Sequence, residues 1–208
     1  MQITAVEPRR KGLSALYIDG EFAMKLDTEV ILAHRFDVGR EIDDEQLHEC
    51  ILASDLKRCK DKAMWLISYR DHSRRELTDK LRRDYPEDVC EKTADRLAEL
   101  GLLDDERYAR RYAADLISVK RLSSKGVSQK LREKGIDREL IDEILDENEI
   151  DEDEQIRAVI NKKYSRVLND EKGRRRAVNA LTRMGFSYQS IKSVMAEYID
   201  TEDYRYVE

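Results

Sequence analysis

The sequence has 208 residues, of which 40% are charged and 40% hydrophobic, with 2 Pro, 8 Gly and a net charge of −6. This composition argues against a disordered chain and favours helix. No apolar run approaches the roughly 18 residues of a membrane span, and residues 1–4 show no signal-peptide pattern, so we expect a cytoplasmic protein without a membrane partner.

The first residues show a β-strand pattern. Apolar and more polar residues alternate on both sides of Asp19 and Gly20, a pair typical of a two-residue hairpin turn. We therefore predict a hairpin at this position, with a third strand over residues 3–6.

Two helices are expected next. Residues 28–35 predict a short helix, and Asp43 with Gln46 resembles a capping box ahead of a helix that carries Leu47 and Ile51.

From about residue 55, apolar positions recur fifty residues apart. Leu81, Leu131 and Leu181 define this register. Further positions share it: Leu77, Val127 and Ala177; Ile136 and Phe186; Ile141 and Ile191; Ile144 and Val194; and Gly135 and Gly185, with Tyr85 in the first unit. Several matches at one spacing indicate a repeated unit that buries its apolar stripe by stacking on its neighbours.

The predicted fold is mainly α: a tandem array of three three-helix repeats of about 50 residues each, preceded by a small N-terminal β-hairpin and helix extension. The expected segments are residues 1–52 for the extension, then 53–104, 105–154 and 155–208 for repeats 1, 2 and 3.

Residues typical of helix starts and helix ends occur at the expected places in these units. Ser73 resembles the start of a capping box, and Gly101, Gly135 and Gly185 fit the left-handed position after a helix. Asp104 and Asp137 are candidate N-caps. Each unit is expected to run as a long helix, a short helix and a third helix.

The sign of the charge changes within each unit. Basic stretches alternate with acidic ones, and the net charges are +5 for 55–83, −7 for 84–106, +5 for 120–134, −10 for 137–154, +7 for 157–183 and −3 for 184–208. The overall charge of −6 therefore hides local basic surfaces. The acidic residues 146–154 are expected to form a solvated linker and helix start; the alternative is that they contact a basic partner or mimic nucleic acid.

Helical spacing places one cation at the same exposed position of each unit. With Leu77 and Leu81 buried, Arg75 faces away from the core, and Lys125 and Arg175 are its equivalents. Regular stacking would align them in a basic stripe suited to DNA phosphates or a charged polymer. The alternative is that they are ordinary solvated charges of a helical surface. The residues assigned to the stripe are Arg70, Arg74, Arg75, Arg82, Lys125, Lys130, Arg132, Arg174, Arg175 and Arg183.

Catalytic motifs are missing from the sequence. It contains no P-loop, HExxH or GxSxG pattern, and its three His residues are widely spread. Cys50, Cys59 and Cys90 lack CxxC spacing, which argues against a disulfide framework or a zinc site. Met64 and Trp65 suggest core packing. We expect no enzyme activity, no cofactor and no metal.

Four segments, read in order, resemble the RecX family of regulatory proteins. They are residues 66–77 (LISYRDHSRREL) with Lys80 and Leu81, residues 102–109 (LLDDERYA), residues 130–136 (KLREKGI), and residues 183–186 (RMGF) with Ile191. The resemblance covers roughly residues 60–200. Departures occur at Ser123 and Ser124, where the family usually has a Gly, and at Tyr85; they put the helix ends in question.

The resemblance implies a partner. RecX proteins bind the RecA recombinase, are thought to lie in the groove of the RecA–DNA filament, and mostly restrain its assembly, ATP hydrolysis and strand exchange in DNA recombination and repair. They are not themselves enzymes, and we expect a monomer. The stripe would then meet filament DNA phosphates or acidic groove residues. A stand-alone nonspecific DNA-binding protein is the alternative, and an uncharacterised enzyme is a distant third.

Overall fold

The N-terminal part of the chain is a three-stranded antiparallel sheet. In the computed structural model, which describes residues 1–198, the strands are β1 (Ile3–Pro8), β2 (Leu13–Ile18) and β3 (Glu21–Asp27), in the order β1-β2-β3. Asp19 and Gly20 link β2 to β3 with φ values of 51° and 90°, the left-handed backbone of a two-residue hairpin turn. The predicted hairpin and third strand are confirmed.

The rest of the described chain is helical, and the mainly α prediction is confirmed. The helices are α1 (Thr28–Ala33), α2 (Asp44–Tyr69), α3 (Arg74–Leu81), α4 (Glu87–Glu99), α5 (Asp105–Ser118), α6 (Ser124–Glu133), α7 (Arg138–Glu147), α8 (Glu152–Lys163), α9 (Glu171–Arg183) and α10 (Tyr188–Met195). A short 3-10 helix, Ala196–Tyr198, follows. Among the described residues, no helix is both long and apolar enough to cross a membrane.

Helix α2 belongs to two apolar clusters. Its N-terminal half packs with the sheet and α1, where Cys50 joins Ile3, Leu16 and Ile31. Its C-terminal half contributes to a cluster with α3 and α4. The helix therefore runs without a break across the expected boundary between residues 52 and 53, and the four-segment division of the chain stays a prediction.

Polar contacts fix α2 against the sheet. The Asp27 carboxylate caps α1 by accepting from the backbone N–H of Glu29 and Val30, and Lys57 donates to it over 2.8 Å. The Ser54 hydroxyl accepts from the backbone N–H of Asp27. These bonds satisfy polar groups at the edge of the core that would be costly if left unpaired.

The chain divides into two compact units, Met1–Asp104 and Asp105–Glu208. The first contains the sheet cluster and the α2–α4 cluster. The second contains one cluster built on α5, α6 and α7 and another built on α8, α9 and α10.

The fifty-residue register is visible in the burial of the middle helices. Six side chains are fully buried, two in each of α3, α6 and α9: Leu77, Leu81, Val127, Leu131, Ala177 and Leu181. Gly135 and Gly185 have φ values of 78° and 96°, as expected for a residue that ends a helix in the left-handed conformation.

The third repeat departs from the expected order of helix lengths. Its middle helix, α9, has 13 residues and α8 has 12, so the expectation of a long helix followed by a short one is wrong there. The reason is the cap. Ser73 and Ser123 cap α3 and α6, but Gly173 occupies the equivalent place in α9, which Asp170 caps three residues earlier.

Helices α6 and α9 meet at their ends. The backbone N–H and the hydroxyl of Ser123 both donate to the Met184 carbonyl, over 3.2 and 3.3 Å. Gly126 and Gly185 allow this approach, since a Cβ on Gly185 would lie 2.5 Å from the Gly126 nitrogen. A side-chain hydrogen bond from Gln155 to the Ile117 carbonyl adds to the contact between the helices of the second unit.

The change Gly126→Ala should destabilise the protein. Its Cβ would collide with the Met184 carbonyl. The free energy of unfolding should therefore fall by about 1–3 kcal/mol, which outweighs the better helix propensity of alanine. Urea unfolding measures the effect. The exposed Gln129→Ala in the same helix is the matched control and should change stability little. Equal stability of the two variants would contradict the close contact.

Candidate functional site

The three equivalent cations of the repeats are all exposed. Arg75 and Lys125 are each the second residue of their helix, in α3 and α6, whereas Arg175 lies one turn into α9. A cation in the first turn opposes the helix dipole, at a cost of about 0.3–1 kcal/mol. Helix stability therefore does not explain the presence of Arg75 and Lys125.

In the first repeat, the neighbouring arginines are held by carboxylates of the same unit. Arg74 pairs with Glu91 at 2.9 Å and with Asp95 at 2.7 Å, both on α4. Partial burial, the largest single influence, disfavours the charged guanidinium, but the hydrogen bonds to Asp95 and Glu91 outweigh it and raise the pKa of Arg74. Arg74 thus ties α3 to α4.

Two further arginines of this repeat are also paired with carboxylates. Arg82 contacts Glu87 and Glu91 at 2.9 and 2.8 Å, and Arg70 forms an ion pair with Glu76. The acidic α4 therefore balances much of the basic charge that the sequence assigns to this part of the stripe. Arg75, whose nearest carboxylate is Asp79 at 4.0 Å, is the least compensated of these cations.

On α6 and α9 of the second unit, some of the stripe cations are paired with carboxylates and others are not, and Arg175 lies 3.9 Å from Glu171. Lys130 pairs with Glu133 at 2.7 Å, and this hydrogen bond raises the pKa of Lys130. Arg132 donates to the Ser128 hydroxyl. For Lys125 and Arg183, the structure shows no ion pair with any carboxylate of residues 1–198.

Arg174 does not share the exposed position of its neighbour. It is 9% exposed and donates to the Leu168 carbonyl over 3.4 Å. Sequence reasoning placed it with the exposed stripe, and its burial corrects that placement, because its position on α9 is next to the apolar stripe of Ala177 and Leu181.

Sequence reasoning missed two cations on α9. Lys172 and Arg176 are exposed and, with Arg183, follow spacings of four and seven residues that place them on one helix face. The same helical spacing could have found them, since residues 157–183 carry a net charge of +7. We use the name α6–α9 basic face for the exposed cations Lys125, Arg132, Lys172, Arg175, Arg176 and Arg183.

Two cations of this face lie close in sequence to the contact between α6 and α9. Ser123 and Met184 join the helices, Lys125 lies two residues after Ser123, and Arg183 lies one residue before Met184. Such a face can neutralise several phosphates along a strand.

The expectation that Met64 and Trp65 belong to the core is wrong. Trp65 is 66% exposed and Met64 is 39% exposed. In this half of α2 the fully buried side chains are the small ones of Cys59 and Ala63. Their small size lets the neighbouring helix pack closely, and Trp65 lies on the other side of the helix from Ala63.

Within residues 1–198, no group of three or more His, Cys, Asp or Glu side chains could hold a metal ion. Cys50, Cys59 and Cys90 are free and buried, and burial raises the pKa of the Cys50 and Cys90 thiols to about 11.

Adjacent arginines of α9 should respond differently to truncation. Arg174→Ala removes a buried, hydrogen-bonded guanidinium and should cost about 1–3 kcal/mol, whereas the exposed Arg175→Ala should stay within about 0.5 kcal/mol of the wild type. Thermal and urea unfolding of both variants measure this. Equal stabilities would contradict the assignment of Arg174 to a structural role.

Comparison with known proteins finds matches in the RecX family. Residues 59–97 match the family model "RecX, first three-helix domain", and residues 104–145 match "RecX, second three-helix domain". The Regulatory protein RecX of Clostridium tetani (strain Massachusetts / E88) is 29% identical over 202 residues, which cover 91% of this chain and 90% of that protein. The Regulatory protein RecX of Clostridioides difficile (strain 630) is 26% identical and covers 97% of this chain and 98% of its own.

Solved structures agree with the sequence matches. A crystal structure of regulatory protein RecX aligns with a TM-score of 0.61 at 25% identity, covering 93% of this chain and 98% of that one. The crystal structure of RecX from Lactobacillus salivarius aligns with a TM-score of 0.56 at 26% identity, over 70% of this chain and 97% of its own. The repeat architecture, the two matched three-helix domains and these relatives, which align over most of the chain, together support a RecX family protein.

Proposed function

We propose that the protein binds RecA recombinase and RecA–DNA filaments and modulates them, mainly by inhibiting filament assembly, ATP hydrolysis and strand exchange. It acts as a monomer in the cytoplasm, lies in the filament groove and has no catalytic activity of its own. The regulatory role follows from the family, and the choice of RecA as partner comes from the resemblance of residues 66–77, 102–109, 130–136 and 183–186 to that family's motifs.

The α6–α9 basic face is the observation that carries the proposal. Its cations are exposed, and Lys125 is placed where it opposes the helix dipole. A cation retained at a cost to its own helix is best explained by a partner of opposite charge. In the filament, DNA phosphates and acidic groups of the recombinase both provide that charge.

The regular recurrence of these cations also suits a filament as the partner. A repeat array places equivalent side chains at regular intervals. A helical assembly of identical subunits on DNA presents its own charges at regular intervals as well. Arg75 is proposed to contact negative charges of the filament from the first repeat, as Lys125 and Arg175 do from the second and third.

Charge reversal tests the proposal directly. The triple variant Arg75→Glu, Lys125→Glu and Arg175→Glu should inhibit the single-stranded-DNA-dependent ATPase of RecA at least about tenfold less strongly, since three electrostatic contacts become repulsive. The matched control reverses three exposed cations outside the face, Arg10, Lys25 and Arg138, and thus makes the same change in formal charge. Full inhibition by a well-folded triple variant would refute a role for these cations.

The alternative function is that of a stand-alone, nonspecific DNA-binding protein that affects RecA merely by competing for DNA. The same basic face supports it. It predicts strong binding to naked DNA, with an affinity that falls steeply as salt rises. On single strands, the slope of log affinity against log salt concentration should be about −0.7 for each phosphate contacted.

A comparison of two titrations separates the functions. Binding to preformed RecA filaments should be at least about tenfold tighter than binding to the same oligonucleotide alone at equal salt, because a second partner adds contacts. Equal affinities with equal salt slopes would favour the DNA-binding alternative.

A further inference from the structure

The C-terminal end of α2 carries an exposed apolar patch. Met64, Trp65 and Tyr69 form it, and we call it the α2 aromatic patch. Trp65 is 66% exposed and Tyr69 is 85% exposed. Because these two residues are four apart in the helix, their side chains are neighbours on one face.

Scattered exposed apolar side chains are normal on any protein surface. This patch differs because its members are adjacent and because one of them is the single tryptophan of the chain. Tryptophan, tyrosine and methionine are enriched where proteins contact other proteins, and tryptophan and tyrosine dominate the binding energy there. The patch therefore has the composition of an interface centre.

The charges around the patch indicate the class of the partner. Lys60 and Asp61, one turn before Met64 and Trp65, are both exposed and offset each other. Arg70, the residue after Tyr69, forms an ion pair with Glu76. A surface that stacks nucleic-acid bases lies among cations that neutralise the phosphates. The balanced charge here favours a protein partner instead.

One nearby cation defines what that partner presents. Arg75 lies in the first turn of α3, and four residues separate the start of this helix from Tyr69, the last residue of α2. Its side chain is 60% exposed, and its nearest carboxylate is 4.0 Å away. A matching surface thus has an apolar recess for the aromatic rings and a carboxylate at its edge.

We propose that the α2 aromatic patch docks on a protein surface of this kind on a recombinase protomer, while the α6–α9 basic face meets DNA phosphates; this inference rests on the proposed function. The two surfaces then bind different components of the filament. Trp65 and Tyr69 provide affinity for the protein component of the filament. The basic face provides the part of the affinity that depends on salt and on DNA.

The double variant Trp65→Ala and Tyr69→Ala tests the division. Its affinity for DNA-free RecA and for preformed filaments should fall at least about tenfold, as expected when two central anchors are removed. Its affinity for oligo(dT) should remain within about twofold of the wild type, because no phosphate contact is lost. The variant should fold normally, since both side chains are exposed, and circular dichroism checks this.

Leu32→Ala and Val38→Ala together are the matched control. These residues are 66% and 64% exposed, similar to Trp65, but lie in and after α1. The control should bind RecA, filaments and oligo(dT) as the wild type does. A loss of RecA affinity in the control as large as that of the test variant would overturn the assignment to α2.

Three results distinguish the remaining possibilities. If the wild type binds RecA and the Trp65/Tyr69 variant binds it equally well, the patch proposal fails and the proposed function stands. If the variant loses oligo(dT) affinity and oligo(dT) quenches the Trp65 emission of the wild type, the patch stacks bases and the protein-docking proposal is wrong. If the wild type binds neither RecA nor filaments, the proposed function fails and the patch proposal fails with it.

Discussion

The middle helices of the repeats bury just a narrow apolar stripe, and this constraint shapes the rest of the helical structure. Each of α3, α6 and α9 places two fully buried side chains between its neighbours, as Leu131 and Val127 do in α6. A stripe of that size cannot hold a three-helix unit together alone. The remaining stability comes from contacts between elements, such as the Ser123–Met184 bonds, and these require glycine where two backbones approach.

Charge plays two different roles in repeats that share one register. In the first, the acidic helix α4 neutralises the basic α3 through Arg74 and Arg82, so the charge is largely structural. In the second unit, Lys125 on α6 and Arg183 on α9 form no ion pair with any carboxylate of residues 1–198. The same alternation of sign along the sequence thus produces an internal ion-pair network in one place and an open basic face in another.

Much of the fold could be predicted because its signals are local. The leucine register, the glycines at 135 and 185 and the Asp19-Gly20 turn each follow from backbone or packing rules that a sequence displays. Arg174 and Trp65 could not be placed in this way. Whether an arginine at the border of an apolar stripe is buried depends on how the preceding loop folds over it, and Leu168 decides that here. Trp65 is exposed because close packing selects small residues on the opposite face of α2.

The single helix α2 packs both in the N-terminal sheet cluster and in the first repeat. At 1.5 Å per residue its 26 residues extend for about 39 Å, with Cys50 in one apolar cluster and Cys59 in the other. A change in α2 can therefore affect both clusters. Loss of the sheet would remove the apolar partner of the N-terminal half of this helix, whose C-terminal half packs in the first repeat.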